Sequence, residues 1–137
     1  MKAYLSGDQT YTVRIGDQTE YKLYQATLDA NLVYTTDTKV TSIASTSTTE
    51  IDSFPITQYR SSRSQIQITQ GSNYQIADTL ILHNGSTSSL IEYGSISTND
   101  YLANFSTTVE SGKCVLNISM LNPADATVKV VSQKLTV

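Results

Sequence analysis

The sequence has no tryptophan, one cysteine, one histidine and only 15% charged residues across 137 positions. Each scarcity excludes something. A lone cysteine, Cys114, cannot close an internal disulfide. One His and one Cys do not make a zinc site, so no metal or other cofactor is expected. The nine Lys and Arg are scattered, without the basic stripe of a nucleic-acid binder. No apolar run approaches the ~20 residues that span a bilayer, and stretches such as Leu80-Ile81-Leu82 are short. The start, Met1 to Asp8, lacks the apolar stretch of a signal peptide, so a soluble chain made in a cytoplasm is expected.

What is abundant is hydroxyl. The chain carries 18 Ser and 20 Thr, more than a quarter of its residues, beside 39% hydrophobic residues. That hydrophobic share separates it from the low-hydrophobicity, high-charge composition of disorder. The length fits one domain, or one domain with an extension.

The dominant period is two. Ser64-Gln65-Ile66-Gln67-Ile68-Thr69-Gln70 alternates, and Cys114, Leu116, Ile118 and Met120 share one face of another alternating run. Thr127 to Val131 and Lys134 to Val137 close the chain in the same style. Such alternation indicates half-buried antiparallel strands, and Thr, Val, Ile and Tyr suit their pleated surface. The expected fold is therefore all-β, an antiparallel sandwich of jelly-roll or immunoglobulin-like type, with an N-terminal β extension or arm. Ser and Thr are expected on outward strand faces and in turns.

Turn residues punctuate the runs at Gly71-Ser72, Ser111-Gly112 and Asn122-Pro123-Ala124-Asp125. Asn84-Gly85 is the sharpest signal, and predicts a two-residue type I′ hairpin. Towards the N-terminus, Gly7-Asp8-Gln9-Thr10-Tyr11 recurs as Gly16-Asp17-Gln18-Thr19-Glu20-Tyr21, framing a short strand from Tyr11 to Ile15. Both Glu20 to Ala30 and Asn99 to Ser111 fit helix or strand spacing, and strand suits the rest of the chain. Thr41 to Thr49 is small and polar, either a linker or an edge strand. The expected division is an N-terminal Tyr-rich extension over 1–45, which could dock, and a sandwich over 46–137.

Chemistry-bearing groups are few. His83 beside Asn84-Gly85 is expected as a solvated turn residue, and Cys114 as a small buried hydrophobe. No Gly-x-Ser-x-Gly elbow occurs. Asp52, Asp78, Glu92 and Asp100 form no recognisable carboxylate pair. No enzymatic activity is expected. Three Asn-x-Ser/Thr triplets, at Asn84, Asn104 and Asn117, carry no weight in a chain so rich in hydroxyls.

The candidate interface residues are aromatic and cationic. Five of nine tyrosines fall early, at Tyr4, Tyr11, Tyr21, Tyr24 and Tyr34, and Tyr is favoured at interfaces. Tyr59, Arg60 and Arg63 form a second cluster. Its guanidinium groups either meet an acidic partner or bridge internally to Asp52 or Glu92.

From Glu50 onward the chain resembles a β-rich module that recurs in virion structural proteins of marine and cyanobacterial tailed phages. The resemblance rests on Ile51-Asp52-Ser53-Phe54, Tyr59-Arg60-Ser61, Ile66-Gln67-Ile68, Leu80-Ile81-Leu82-His83-Asn84-Gly85 and Glu92-Tyr93-Gly94-Ser95. It continues through Gly112, Asn122-Pro123-Ala124 and Val128-Lys129-Val130-Val131, and covers residues 50–137. Arg63-Ser64 and Lys113-Cys114 depart from the module's usual residues. The resemblance implies a structural virion part without assigned catalytic residues, synthesised in a host cytoplasm and located in the virion. With one module in a short chain, the expected role is a stand-alone capsid decoration or cement protein on the head. The alternatives are a neck, collar, baseplate or tail-fibre component, or a host- or carbohydrate-binding module. The expected partners are the major capsid protein or another virion protein, with no nucleic acid and no membrane. Self-association is also expected, a trimer being the working number.

Overall fold

In the computed structural model, the backbone is described for residues 2–5, 10–16, 21–27 and 34–137, and side chains for 36–137. The chain divides into two compact units, Met1–Val33 and Tyr34–Val137. The described residues contain strands and turns but no helix.

The first unit is a three-stranded antiparallel sheet of β1 (Lys2–Leu5), β2 (Thr10–Gly16) and β3 (Tyr21–Thr27), with β2 in the middle. The strand expected from Tyr11 to Ile15 is β2, and the ambiguous run after Glu20 is extended over Tyr21–Thr27. The Gly7-Asp8 turn lies outside the described residues.

The second unit is built from β4 (Tyr34–Ile43), β5 (Thr49–Pro55), β6 (Tyr59–Gln70), β7 (Asn73–His83), β8 (Ser88–Ser97), β9 (Ala103–Glu110), β10 (Lys113–Met120) and β11 (Ala126–Thr136). Five strands make one sheet in the order β4-β11-β6-β7-β8, and three make the other in the order β5-β10-β9. Every pairing is antiparallel. The last strand, β11, returns from the second sheet to lie between β4 and β6, so the unit's ends close on one another.

The core is the seam between these sheets. Ile66, Ile68, Val128 and Val130 project from one side, and Ile51, Phe54, Cys114, Leu116, Ile118 and Met120 from the other. Burying each aliphatic side chain contributes roughly 1.5–3 kcal/mol. Cys114 takes the expected place among them, fully buried in an apolar frame. The Asn99 to Ser111 run supplies β9 as a strand. The Thr41 to Thr49 run is half strand and half connection: Thr41 to Ile43 finish edge strand β4, and a loop leads to β5.

Most described hydroxyls are exposed or half-exposed, as the sequence predicts, and four depart from that expectation. Ser62, Ser64, Thr79 and Ser132 point inward and are buried, whereas Leu80, Leu82 and Leu135 are about half exposed or more. Strand geometry explains the inversion. Side chains alternate with period two, so Ile66 and Ile68 carry Ser64 and Ser62 inward along β6. On β11, Val128 and Val130 likewise carry Ser132 and Lys134 inward and leave Val131 and Leu135 outside. A one-residue slip that hid the leucines would expel the isoleucines and valines.

The buried Lys134 is matched by charge. Its Nζ lies 3.2 Å from Asp52 Oδ1 on β5 and 3.2 Å from Asp37 Oδ2 on β4, and donates to the Ser53 carbonyl at 3.4 Å. Lys39 adds a second cation 3.5 Å from Asp52. This group of four charges ties the three-stranded sheet to the five-stranded one.

Turns also depart from expectation. Asn84-Gly85 is not a two-residue type I′ turn; it begins a four-residue loop between His83 and Ser88. The Asn84 side chain accepts from the N–H groups of Ser86 and Thr87, favouring this Asx turn over the tighter one. The hairpin with two consecutive positive φ angles is at Ser111 (49°) and Gly112 (76°), between the paired Glu110 and Lys113.

Candidate functional site

A β-bulge at Arg60, where Ser61 and Tyr59 face the adjacent Leu135 and Thr136, splits the Tyr59 to Arg63 cluster. Tyr59 is half buried and meets Phe54 edge-on, with ring centroids 6.4 Å apart. Arg60 donates to the His83 carbonyl at 3.3 Å. Arg63 projects on the opposite, outer face of the five-stranded sheet. There it stands over the Tyr93 ring at 5.6 Å and pairs with Asp78 at 3.8 Å. The expected bridges to Asp52 or Glu92 are thus replaced: Asp52 is held by Lys134 and Lys39.

His83 is not a solvated turn residue. It is 3% exposed and packs beside Phe54 with ring centres 5.9 Å apart. Its Nδ1 accepts from the Gly85 N–H at 3.0 Å, and its Nε2 lies 2.6 Å from the Tyr59 carbonyl. A carbonyl only accepts and an amide N–H only donates, so the Nε2–H tautomer satisfies both bonds. The imidazole fastens the β7–β8 loop to the start of β6. Cys114 is equally enclosed. Burial pushes its thiol above its ordinary pKa, while the Thr107 hydroxyl at 3.7 Å acts in the opposite sense.

The feature that sequence reading missed is the outer face of the β11-β6-β7-β8 sheet. Cross-strand register aligns Leu135, Ser61, Leu82 and Ser89 in one row. The next row is Gln133, Arg63, Leu80 and Ile91. Together they line a shallow concavity of about 720 Å³. Farther along, Ile76 stands opposite Ile96, and both are exposed. The signal lay in β7: its outer frame, Tyr74, Ile76, Asp78, Leu80 and Leu82, is more apolar than its inner frame, Gln75, Ala77, Thr79, Ile81 and His83.

The early tyrosines are distributed over several strands. Tyr4 is on β1, Tyr11 on β2, Tyr21 and Tyr24 on β3, and Tyr34 begins β4. Their side chains lie outside the described residues. Among the described residues, no group of three or more His, Cys, Asp or Glu is arranged to hold a metal.

No family model and no curated protein matches the chain. Among solved structures, it is similar to the tailspike protein of Acinetobacter baumannii phage AM24. The TM-score is 0.46 at 8% identity, over 76% of this chain and 26% of that one. It is also similar to the tailspike of Acinetobacter phage vB_ApiP_P1, with a TM-score of 0.44 at 17% identity, over 82% and 25% of the respective chains. The chain thus spans about a quarter of the length of those proteins.

Proposed function

We propose that the chain is a structural component of a phage virion, working by assembly rather than by turnover. The virion part of this reading is supported by the resemblance of residues 50–137 to the recurring phage module. The structural part is carried by His83, the chain's single imidazole: both ring nitrogens bind backbone, and the ring is enclosed beside Phe54. An imidazole acting as general base needs a ring nitrogen within reach of substrate, and this one has none to offer. The single thiol is held in the core as well.

Two positions in the particle follow from this reading: decoration of the head, or a place in the neck, baseplate, fibre or spike. They differ in copy number, since a shell decoration follows the lattice and a tail component follows the tail's few-fold symmetry. Quantitative mass spectrometry of purified particles, with immunogold labelling, is the test. A stoichiometric amount at a defined position supports the reading, and the count separates head from tail. Absence from purified particles overturns it.

A further inference from the structure

Asn84-Gly85 is the chain's single Asn-Gly step. In such a step the glycine nitrogen can attack the asparagine side-chain carbonyl, because no β-carbon on the glycine obstructs the five-membered ring that forms. Around this step the fold places a base and two acidic donors. Gly85 N–H donates to His83 Nδ1 at 3.0 Å, so the proton of the attacking nitrogen already points at a base. That base is oriented in turn: Nε2 lies 2.6 Å from the Tyr59 carbonyl and holds its proton there. Nucleophile, base and orienting group stand in the order of an activated-nucleophile relay. The electrophile is gripped as well. Asn84 Oδ1 accepts from the N–H groups of Ser86 and Thr87, each at 2.9 Å. Two backbone donors on one carbonyl oxygen are the arrangement that stabilises an oxyanion. Gly85 has a φ of 101° and nothing within 4 Å of the place a β-carbon would take.

We propose that Asn84 is a self-modification site, at which the folded chain converts its own asparagine to a succinimide and then to aspartate or isoaspartate. The Gly85 nitrogen bonds to Asn84 Cγ as His83 Nδ1 takes the amide proton. Negative charge collects on Oδ1, between the Ser86 and Thr87 donors. As that charge collapses, the Cγ–Nδ2 bond breaks, the imidazolium returns its proton to the departing nitrogen, and ammonia leaves. Solvent water then opens the ring at either carbonyl, and both Asn84 and Gly85 are exposed to it. The enclosure of His83 is no obstacle, because the group it deprotonates is the N–H it already holds. In the succinimide that N–H is gone, and with it the bond from the loop to Nδ1. Hydrolysis then leaves a carboxylate one residue from His83.

This reaction stands independently of any place in a virion. Peptide mapping by mass spectrometry of the full chain, held at neutral pH, tests it through the amide-to-acid mass gain and isoaspartate at residue 84. The folded wild type is expected to convert about tenfold faster than the same chain unfolded in urea, a conservative share of the roughly 10²–10⁴-fold that a positioned base supplies. His83→Gln keeps a hydrogen-bond acceptor but no base. With an unchanged circular dichroism spectrum, it is expected to convert at about the rate of the unfolded chain. Should His83→Gln unfold, the comparison of folded and unfolded wild type decides alone. A folded wild type that converts Asn84 no faster than the unfolded chain overturns the proposal, since the loop's hydrogen bonds then protect the amide. So does a folded His83→Gln protein that converts as fast as the wild type.

Discussion

Lys134 Nζ lies 3.2 Å from Asp52 Oδ1, and this pair joins the two sheets with both residues almost wholly buried. Removing one partner of such a pair strands the other charge in the interior. Asp52→Ala is therefore expected to cost about 3 kcal/mol in urea unfolding, the lower end for a broken buried pair, because Asp37 still reaches Lys134. Asp37→Ala, on a half-exposed side chain, is expected to cost under about 1 kcal/mol. Replacing both members together, Lys134→Met with Asp52→Leu, is expected to be far milder than Asp52→Ala alone. Equal losses for Asp52→Ala and Asp37→Ala would show that the clamp between sheets does not depend on Asp52.

The same cluster sets an acid limit. The Lys134 ammonium, hydrogen-bonded to Asp37, holds that carboxyl below its ordinary pKa of 3.8, with help from the Thr38 N–H. A carboxyl that binds its proton less readily when folded adds stability above its unfolded pKa. That contribution is lost as pH falls from about 3.8 through the lower folded value. Melting temperature should therefore drop below about pH 4, and Asp37→Asn should flatten part of the drop. The effect is modest and salt-sensitive, because the Asp37 side chain is half exposed. Identical acid profiles for wild type and Asp37→Asn would exclude this source.

Thr79 is fully buried, and its hydroxyl has no hydrogen-bond partner among the described residues. It stands opposite Ser64 on the inward face. Valine has nearly the same shape without the polar atom. Thr79→Val is expected to raise stability by about 1 kcal/mol, the cost of a buried unpaired hydroxyl. The readout is the urea midpoint at constant slope. A loss of stability would mean that the hydroxyl is satisfied in solution.

Why some of this was legible and some was not comes down to what alternation encodes. Period two in Cys114 to Met120 marks a strand whose apolar frame has only one sensible direction, and it faces the core. Ser61-Ser62-Arg63-Ser64 offers no apolar residue in either frame, so its direction is inherited from Ile66 and Ile68 farther along. The β7 strand has apolar residues in both frames, and its partners decide between them. Leu80-Ile81-Leu82 therefore reads as a buried run, yet only Ile81 is inside. The environment of His83 was hidden for a different reason. Its enclosure comes from Phe54 and Tyr59, distant in sequence, and from a loop wider than Asn-Gly usually makes.

The β9–β10 turn provides the last prediction. Ser111 is the sole described non-glycine residue with a positive φ, 49°, and Gly112 follows at 76°. A β-carbon raises the cost of the left-handed region by roughly 1–2 kcal/mol, and Asn tolerates it better than Ser does. Nothing crowds the position where Gly112 would carry a β-carbon, so backbone strain alone sets the penalty there. Gly112→Ala is expected to destabilise by about 1 kcal/mol. Ser111→Asn is expected to stabilise by a few tenths to about 0.5 kcal/mol. The hairpin lies at the end of the three-stranded sheet, where Lys113 pairs with both Glu110 and Pro55. Its loosening should therefore appear in hydrogen exchange of β9 and β10 before that of β6 and β7. Uniform exchange across both sheets in Gly112→Ala would show that the sandwich opens only as a whole.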